Sequence, residues 1–309
     1  MAVDLSPIDE NLLATISGLH GMPNGAFNIR RNGELVERHS SAFIEIATKE
    51  GVPGIDIKIK PGTRGETVYI PVIVTQAGVK DVVYNTFYVG EGSDVTIVAG
   101  CGIHNAAHEQ SQHDGIHEFF IGKGARVKYT EAHYGEGPAN GTRILNPVTK
   151  VHMAENSFCE MDLSQLEGVT STKRETEADL AEGAKMIITE KLMTHDEQFA
   201  ESNMLFQLNG DDSSVQVVSR SVAKDESRQV FSPLVVGNAA CRGHVQCDSI
   251  LIGNGKVKSV PAIEANCEDA ILMHEAAIGK IAGDQIIKLQ TLGLTEEEAE
   301  QEILDDFLS

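Results

Sequence analysis

The residue types best able to do chemistry gather in two places. Near the C-terminus, Cys247 stands in "QCDSILIG", and the pair His274–Glu275 follows in "MHEAAIGK". Cys247 and Glu275 are 28 residues apart (275 minus 247). Thiol, imidazole and carboxylate are all ligands for first-row metals. A thiol beside a carboxylate has its pKa raised, which suits a lone nucleophile badly. The same pairing suits a metal, because a cation neutralises both groups. The plainer alternative makes Cys247 a small buried hydrophobe and Glu275 a solvated surface acid. Upstream, "CGIHNAAHEQSQHDGIHEFF" gathers Cys101, His104, His108, His113 and His117. This segment reads as a long loop between strands, with His104 and His108 as candidate metal ligands, although neither HExxH nor HxH occurs. "GEGSDV" and "GKGARV" lack the GxxxxGK[ST] pattern and the following helix of a phosphate loop, and no GxSxG stretch marks a serine nucleophile.

Spacing acquires meaning only against what repeats. Short strand-like stretches follow turn-forming ones that start at Gly90, Gly122, Ala154, Ala181, Asn209, Gly237 and Ala265. By subtraction these starts lie 32, 32, 27, 28, 28 and 28 residues apart. Two-residue alternation recurs inside them, as at Val127 and Tyr129 or Val215 and Val217. This pattern predicts a mainly β chain with a parallel β-solenoid core, one rung per repeat. An antiparallel sandwich is the alternative, and the long, rather constant period argues against it. "GIDIKIKPGTRGETVYIPVIVT" looks like an earlier, less regular rung. The expected division is a helix and extended segment over 1–53, a β-helix core over 54–277 and a helical segment over 278–309. If each repeat is one rung, Cys247 and Glu275 hold equivalent places on adjacent strands, roughly 4.8 Å apart. His274, one residue away, then points to the opposite face unless a bulge intervenes.

The ends of the chain differ from its middle. Ile8–Ser17 reads as a short helix and "GAFNIRRNGELVER" as an extended hairpin. At the other end, Ile281, Gln285, Ile286 and Leu289, then Ala299, Ile303 and Phe307, follow helical spacing. Gly293 is placed to end the first helix, and Thr295 with Glu298 forms a capping box for the second. Such short helices must dock on something. They either cover the open end of the solenoid or bind a partner, with Leu292, Leu294, Ile303 and Phe307 as the candidate anchors.

Composition narrows the function. The 309 residues carry a formal charge of −21, which argues against a nucleic-acid or anionic-membrane partner. The acidic N-terminal stretch lacks a signal-peptide pattern, and no apolar run reaches the roughly 20 residues that span a bilayer. Both point to the cytoplasm. There, the five cysteines are expected to be free thiols or ligands, and no CxxC pair exists.

The C-terminal third, "QCDSILIG", "MHEAAIGKI" and "DQIIKLQTLGLTEEEAEQEI", resembles the SufB/SufD family, scaffold proteins of the SUF iron–sulfur cluster assembly machinery. "VGEGSDVTIVAGCGIHN" and "GKGARVKYT" are also similar to its core, so the resemblance covers roughly residues 54–309. It implies a right-handed parallel β-helix, a helical segment that docks a SufC-type ABC ATPase, and association of two cores. It implies cluster assembly at Cys247, Glu275 and His274, with Cys101 as a sulfur acceptor. The chain is much shorter at the N-terminus than the larger SufB proteins and lacks their N-terminal cysteine-rich motif, so the resemblance does not carry their flavin binding over to it. Because cysteine, histidine and glutamate stand on one chain, a homodimer is expected in which each subunit plays both parts. The expected function is a non-enzymatic scaffold that builds a transient iron–sulfur cluster and passes it to apo iron–sulfur proteins. The competing readings are a β-helix enzyme acting on polysaccharide or through a bound metal, and a structural regulator of the ATPase without a cluster.

Overall fold

Alternating side chains and regular corners wind the chain into a β-solenoid of about eight turns. The computed structural model describes residues 5–138 and 141–309. Met1–Asp4, the start of the acidic N-terminal stretch, and Ala139–Asn140 lie outside the described residues. Helix α1 (Pro7–Ser17) opens the described chain, with Pro7 in its first turn and a reciprocal capping box between Ser6 and Asp9. Strands β1 (Ala26–Arg31) and β2 (Glu34–His39) form the expected hairpin. It turns at Asn32 and Gly33, both at positive φ, as a two-residue hairpin turn requires. Strands β3 (Ile44–Thr48) and β4 (Gly54–Ile59) pair antiparallel.

The winding proper follows. Its first half comprises β5 (Arg64–Val74), β6 (Lys80–Val89), β7 (Asp94–His104), β8 (Gln110–Ile121), β9 (Arg126–Glu136), β10 (Thr142–Leu145), β11 (Val148–Met153) and β12 (Phe158–Glu167). Next come β13 (Ser171–Leu180), β14 (Lys185–Thr194), β15 (Phe199–Leu208), β16 (Ser214–Ala223), β17 (Arg228–Gly237) and β18 (Arg242–Leu251). The last strands are β19 (Lys256–Ser259), β20 (Ala262–Ala265) and β21 (Ile271–Gly279), before α2 (Gly283–Thr291) and α3 (Glu296–Leu308).

Two sheets result. One runs β2-β1-β5-β7-β9-β12-β14-β16-β18-β21 and the other β19-β17-β15-β13-β10-β8-β6-β4-β3. Strands β11 and β20 complete the rungs that β10 and β19 begin. Both breaks fall beside a proline, Pro147 or Pro261, which has no N–H to give the ladder. Inward side chains of the two sheets meet in one core that includes Ile57, Phe87, Phe119, Tyr129, Met161, Ile188, Phe206, Val217 and Val245. The corners use the turn-rich composition directly. Gly92, Gly124 and Asn156 sit at positive φ, which only Gly, Asn and Asp adopt cheaply. Each donates its N–H to the next rung, Gly92 to Lys123 O, Gly124 to Glu155 O and Asn156 to Glu182 O. "GEGSDV" and "GKGARV" are therefore corners.

Two expectations need correction. The segment before residue 54 is not separate from the solenoid, since β1 pairs in parallel with β5 and Ala26, Ile44 and Ile46 belong to the main core. The C-terminal helices do not cover the open end either. Leu304 and Leu308 of α3 pack on Val222, with Met193, Ile250 and Phe307 around them. Met193, Val222 and Ile250 are register partners on β14, β16 and β18, so they form an apolar column on the outer flank of the first sheet. The last rung stays uncovered, with Ile263 50%, Ile271 57% and Met273 52% exposed.

Candidate functional site

Register decides what the C-terminal residues can do together. Cys247 pairs with Ala276, and Glu275 pairs with Gln246. The two rungs are thus offset by one residue from the inferred repeat, and a one-residue slip exchanges the faces. Cys247 points inward and is buried, whereas the Glu275 side chain is 61% exposed on the outer face. The expected equivalence of Cys247 and Glu275 is corrected accordingly. His274 pairs with Val245, two residues before Cys247, so it shares the inward face with the thiol.

The electrostatics of this inward pair follow from burial. Burial pushes the Cys247 thiol pKa up, and Glu190 and Asp248 add to it, while Ser259 and Ser249 pull the other way. Ser259 Oγ is itself buried with no other hydrogen-bond partner. Burial also lowers the pKa of His274, with His244 adding to the effect and Glu275 opposing it. A neutral imidazole is the metal-binding form, and His274 Nε2 is buried without a partner. The arrangement offers one thiol and one imidazole nitrogen beside an open rung.

The upstream cluster is reorganised more thoroughly. The expected long loop shrinks to residues 105–109, between β7 and β8. His104 bonds Glu136 through Nδ1 at 2.7 Å, and His108 is exposed in the loop. The structure does not bring them together as ligands. Among the described residues, one group of three potential ligands converges, His195 with Asp196 and Asp225, on an outer corner. Cys101, His113 and His117 are instead buried on inward positions. Burial raises the Cys101 thiol pKa far above its usual value, reinforced by Asp81, Glu131 and Asp114, so the thiol is protonated in this conformation.

A buried polar file joins the two regions. Cys101 is the register partner of His133. Arg174 donates to His133 Nδ1 at 3.4 Å and to Glu131 Oε2 at 2.5 Å. Its Nε stands 3.7 Å from Glu190 Oε1. Glu190 accepts from Ser202 at 2.7 Å and from Ser219 at 2.9 Å. Ser219 is in turn the register partner of Cys247. A branch runs from Asn85 to His117 Nε2 at 3.3 Å, then from His117 Nδ1 to Tyr129 Oη at 2.8 Å and on to Glu131 at 2.9 Å. Burial lowers His117 and His133 to about 4, so both are neutral near pH 7. For Glu131, burial works upward, but His133, Arg174 and His117 overcome it and hold the carboxyl well below the usual range. With both imidazoles neutral, Arg174 is the cation in contact that keeps Glu131 ionised. Sequence reasoning missed this file. Its signal was present in the two-residue alternation of Tyr129, Glu131 and His133, which puts all three on one face.

An outer concavity of about 990 Å³ lies elsewhere, over Tyr88, Phe120 and His152 on the second sheet. Those rings stack on one another at 5.5 and 4.8 Å. None of the candidate residues reaches it. At the C-terminal helices, the Leu292 side chain is free, at 73% exposure, whereas Leu294 and Ile303 are partly buried. Phe307 packs on the solenoid flank and its carbonyl accepts from Arg220 at 3.2 Å. Phe307 is therefore part of the intramolecular dock. No helix among the described residues is long and apolar enough to cross a membrane.

With this geometry in hand, comparison with known proteins is informative. The sequence signature described as SUF system FeS cluster assembly, SufBD core domain, matches residues 73–307. Curated relatives carry the description iron–sulfur cluster assembly SufBD family protein. One from Archaeoglobus fulgidus is 26% identical over 277 residues, covering 89% of this chain and 73% of the relative. One from Methanocaldococcus jannaschii is 27% identical, covering 87% of this chain and 85% of its own length. One from Pyrococcus horikoshii is 27% identical and covers 95% and 84% respectively.

Proposed function

Because the chain belongs to the SufBD family of iron–sulfur cluster assembly proteins, we propose that it is a scaffold on which a nascent cluster is built at the open C-terminal rung. The observation that carries this reading is the shared inward face of Cys247 and His274, reached from Cys101 by the buried polar file. Durable clusters are usually held by four thiolates. One thiol and one neutral imidazole per chain hold a cluster loosely, as a donor to recipient apo proteins must.

Two copies would double that ligand set. The first sheet ends at β21, whose outer edge has no strand beside it among the described residues, and apolar side chains stand exposed around it. Unpaired strand edges of this kind favour association, so the proposed assembly is a homodimer joined at these rungs. Glu275 stands on the outer face of the same rung, turned away from the inward pair. Cys101 is proposed as the sulfur acceptor, acting after a local opening that exposes and deprotonates it. The proposed driving partner is a SufC-type ABC ATPase docked at the C-terminal helices, where Ile287 and Leu292 are exposed at 62% and 73%. ATP hydrolysis belongs to that partner in this reading.

The deciding experiment is anaerobic co-purification with a candidate ATPase, scored for bound iron and sulfide, with Cys247→Ala alongside. Iron and sulfide in the parent chain, lost in the variant, are the expected result. Equal loading of both chains would remove Cys247 from the site. A bound ATPase with no iron or sulfide in either chain would favour a structural regulator.

A further inference from the structure

His244 has no part in the inward pair, yet its surroundings are unusual. It stands on β18 opposite Met273 of β21, on the outer face of the first sheet. Its Nε2 is shielded from solvent and has no hydrogen-bond partner among the described residues. The nearest charged oxygen is Glu275 Oε2, at 3.6 Å, too far for a hydrogen bond. Gln246, the register partner of Glu275, gives its amide to Asp248 at 2.6 Å, so it does not serve Glu275. Two potential ligands thus face each other at 3.6 Å. Ligands about 2.0–2.2 Å from one tetrahedral ion stand about 3.4 Å from each other, close to the spacing seen here. An outer cavity of about 380 Å³, lined in part by Arg242, His244 and Met273, opens beside the pair.

We propose that His244 and Glu275 form a loading site for one divalent iron ion on the outer face of the last two rungs, separate from the inward Cys247–His274 pair. Imidazole nitrogen and carboxylate oxygen are suitable donors for ferrous iron. Glu275, the more exposed member, swings to meet the ion, while His244 is held by its strand. Water fills the remaining positions, which leaves the ion exchangeable. The proposal rests on the cluster-assembly reading, since that process consumes iron at this rung.

The test is an anaerobic Co(II) titration of the full chain carrying Cys247→Ser, so that no thiolate of the inward pair contributes, followed by ligand-field absorption. This chain is expected to bind Co(II) without thiolate charge-transfer bands, and ferrous iron is expected to displace it. Adding His244→Gln or Glu275→Gln should weaken binding by about tenfold or more. Circular dichroism establishes that each variant is folded, and the Glu275 variant, on an exposed position, guards against a folding defect at His244. Absent binding in the Cys247→Ser chain, or unchanged binding after either second substitution, would overturn the proposal. Cluster reconstitution on the parent chain is scored separately. Co(II) binding as described without any cluster sinks the assembly reading and leaves the pair standing. A cluster on a chain whose Co(II) binding ignores His244 sinks the pair alone.

Discussion

Arg174→Met tests the buried polar file most directly. Methionine keeps much of the stem and removes the cation that contacts Glu131 at 2.5 Å and Glu190 at 3.7 Å. Removing one member of a buried ion pair costs about 3–5 kcal/mol, because the other charge is left uncompensated. The pH dependence carries a sign that a packing defect would not. In the parent chain burial acts upward on Glu131, but its partners prevail and its folded pKa lies below the unfolded value. Such a group contributes stability above the unfolded pKa of about 4.3, and the contribution is lost as pH falls through the folded pKa. Without Arg174, burial prevails and the folded pKa rises above the unfolded one. The carboxyl then destabilises the fold progressively as pH rises from about 4 to 7. The deficit of the variant should therefore be largest at neutral pH and shrink toward acid. Urea unfolding followed by circular dichroism, at about pH 7 and again at about pH 5, measures it as a midpoint shift at constant slope. Adding Glu131→Gln, which keeps an acceptor for Tyr129, should recover part of the loss. A deficit below about 1 kcal/mol, or one equal at both pH values, would show that Arg174 holds no ionised carboxylate there.

Three further outcomes are expected. Leu304→Ala, which empties the dock on Val222, should lower stability by about 2–3 kcal/mol and expose the flank to protease, whereas Leu292→Ala should leave the melting temperature unchanged. In calorimetry with the proposed ATPase partner, Leu292→Ala should weaken binding by about 1–3 kcal/mol, and full affinity would remove that helix from the proposed interface. Thiol titration under native conditions should label one cysteine quickly, Cys267, because the other four are buried; a second fast thiol at Cys101 would mean that its rung opens freely. Light scattering at micromolar concentration should give a dimer that Ile271→Asp converts to a monomer, and a parent chain that is already monomeric would exclude the proposed joining of last rungs.

What the sequence made legible was whatever depends on one strand or one corner. Val127 and Tyr129, or Val215 and Val217, mark an inward face without any knowledge of the neighbouring rung. Thr295 and Glu298 close their capping box locally, as read. Anything depending on the length of an entire turn was harder. The chain between Cys247 and Glu275 passes through the broken rung at Pro261, where one residue of slip is invisible to a repeat count but exchanges faces. His113 and His117 looked like loop residues because polar side chains at inward positions mimic an exposed segment; partners from other rungs, Asp81, Asn85 and Tyr129, make them part of the core. The flank dock was obscured for the converse reason. At the end of β16, Ser221, Val222 and Ala223 are all buried, so alternation vanishes where a helix covers the outer face.

The polar file and the open rung bear on each other physically. A solenoid core gains little from ionised groups, since apolar replacements of buried ion pairs are often neutral or stabilising. Likewise, an uncovered last rung with exposed Ile263, Ile271 and Met273 invites association that a cap would prevent. The chain does have helices available to cover that rung, yet Leu304 and Leu308 anchor them on the flank and leave the rung bare. Both features concern the same place, because Ser219, where the file ends, is the register partner of Cys247 on the penultimate strand of the first sheet. Stability alone explains neither. The proposed site, which would receive material through the core and be completed by a second chain, would require both.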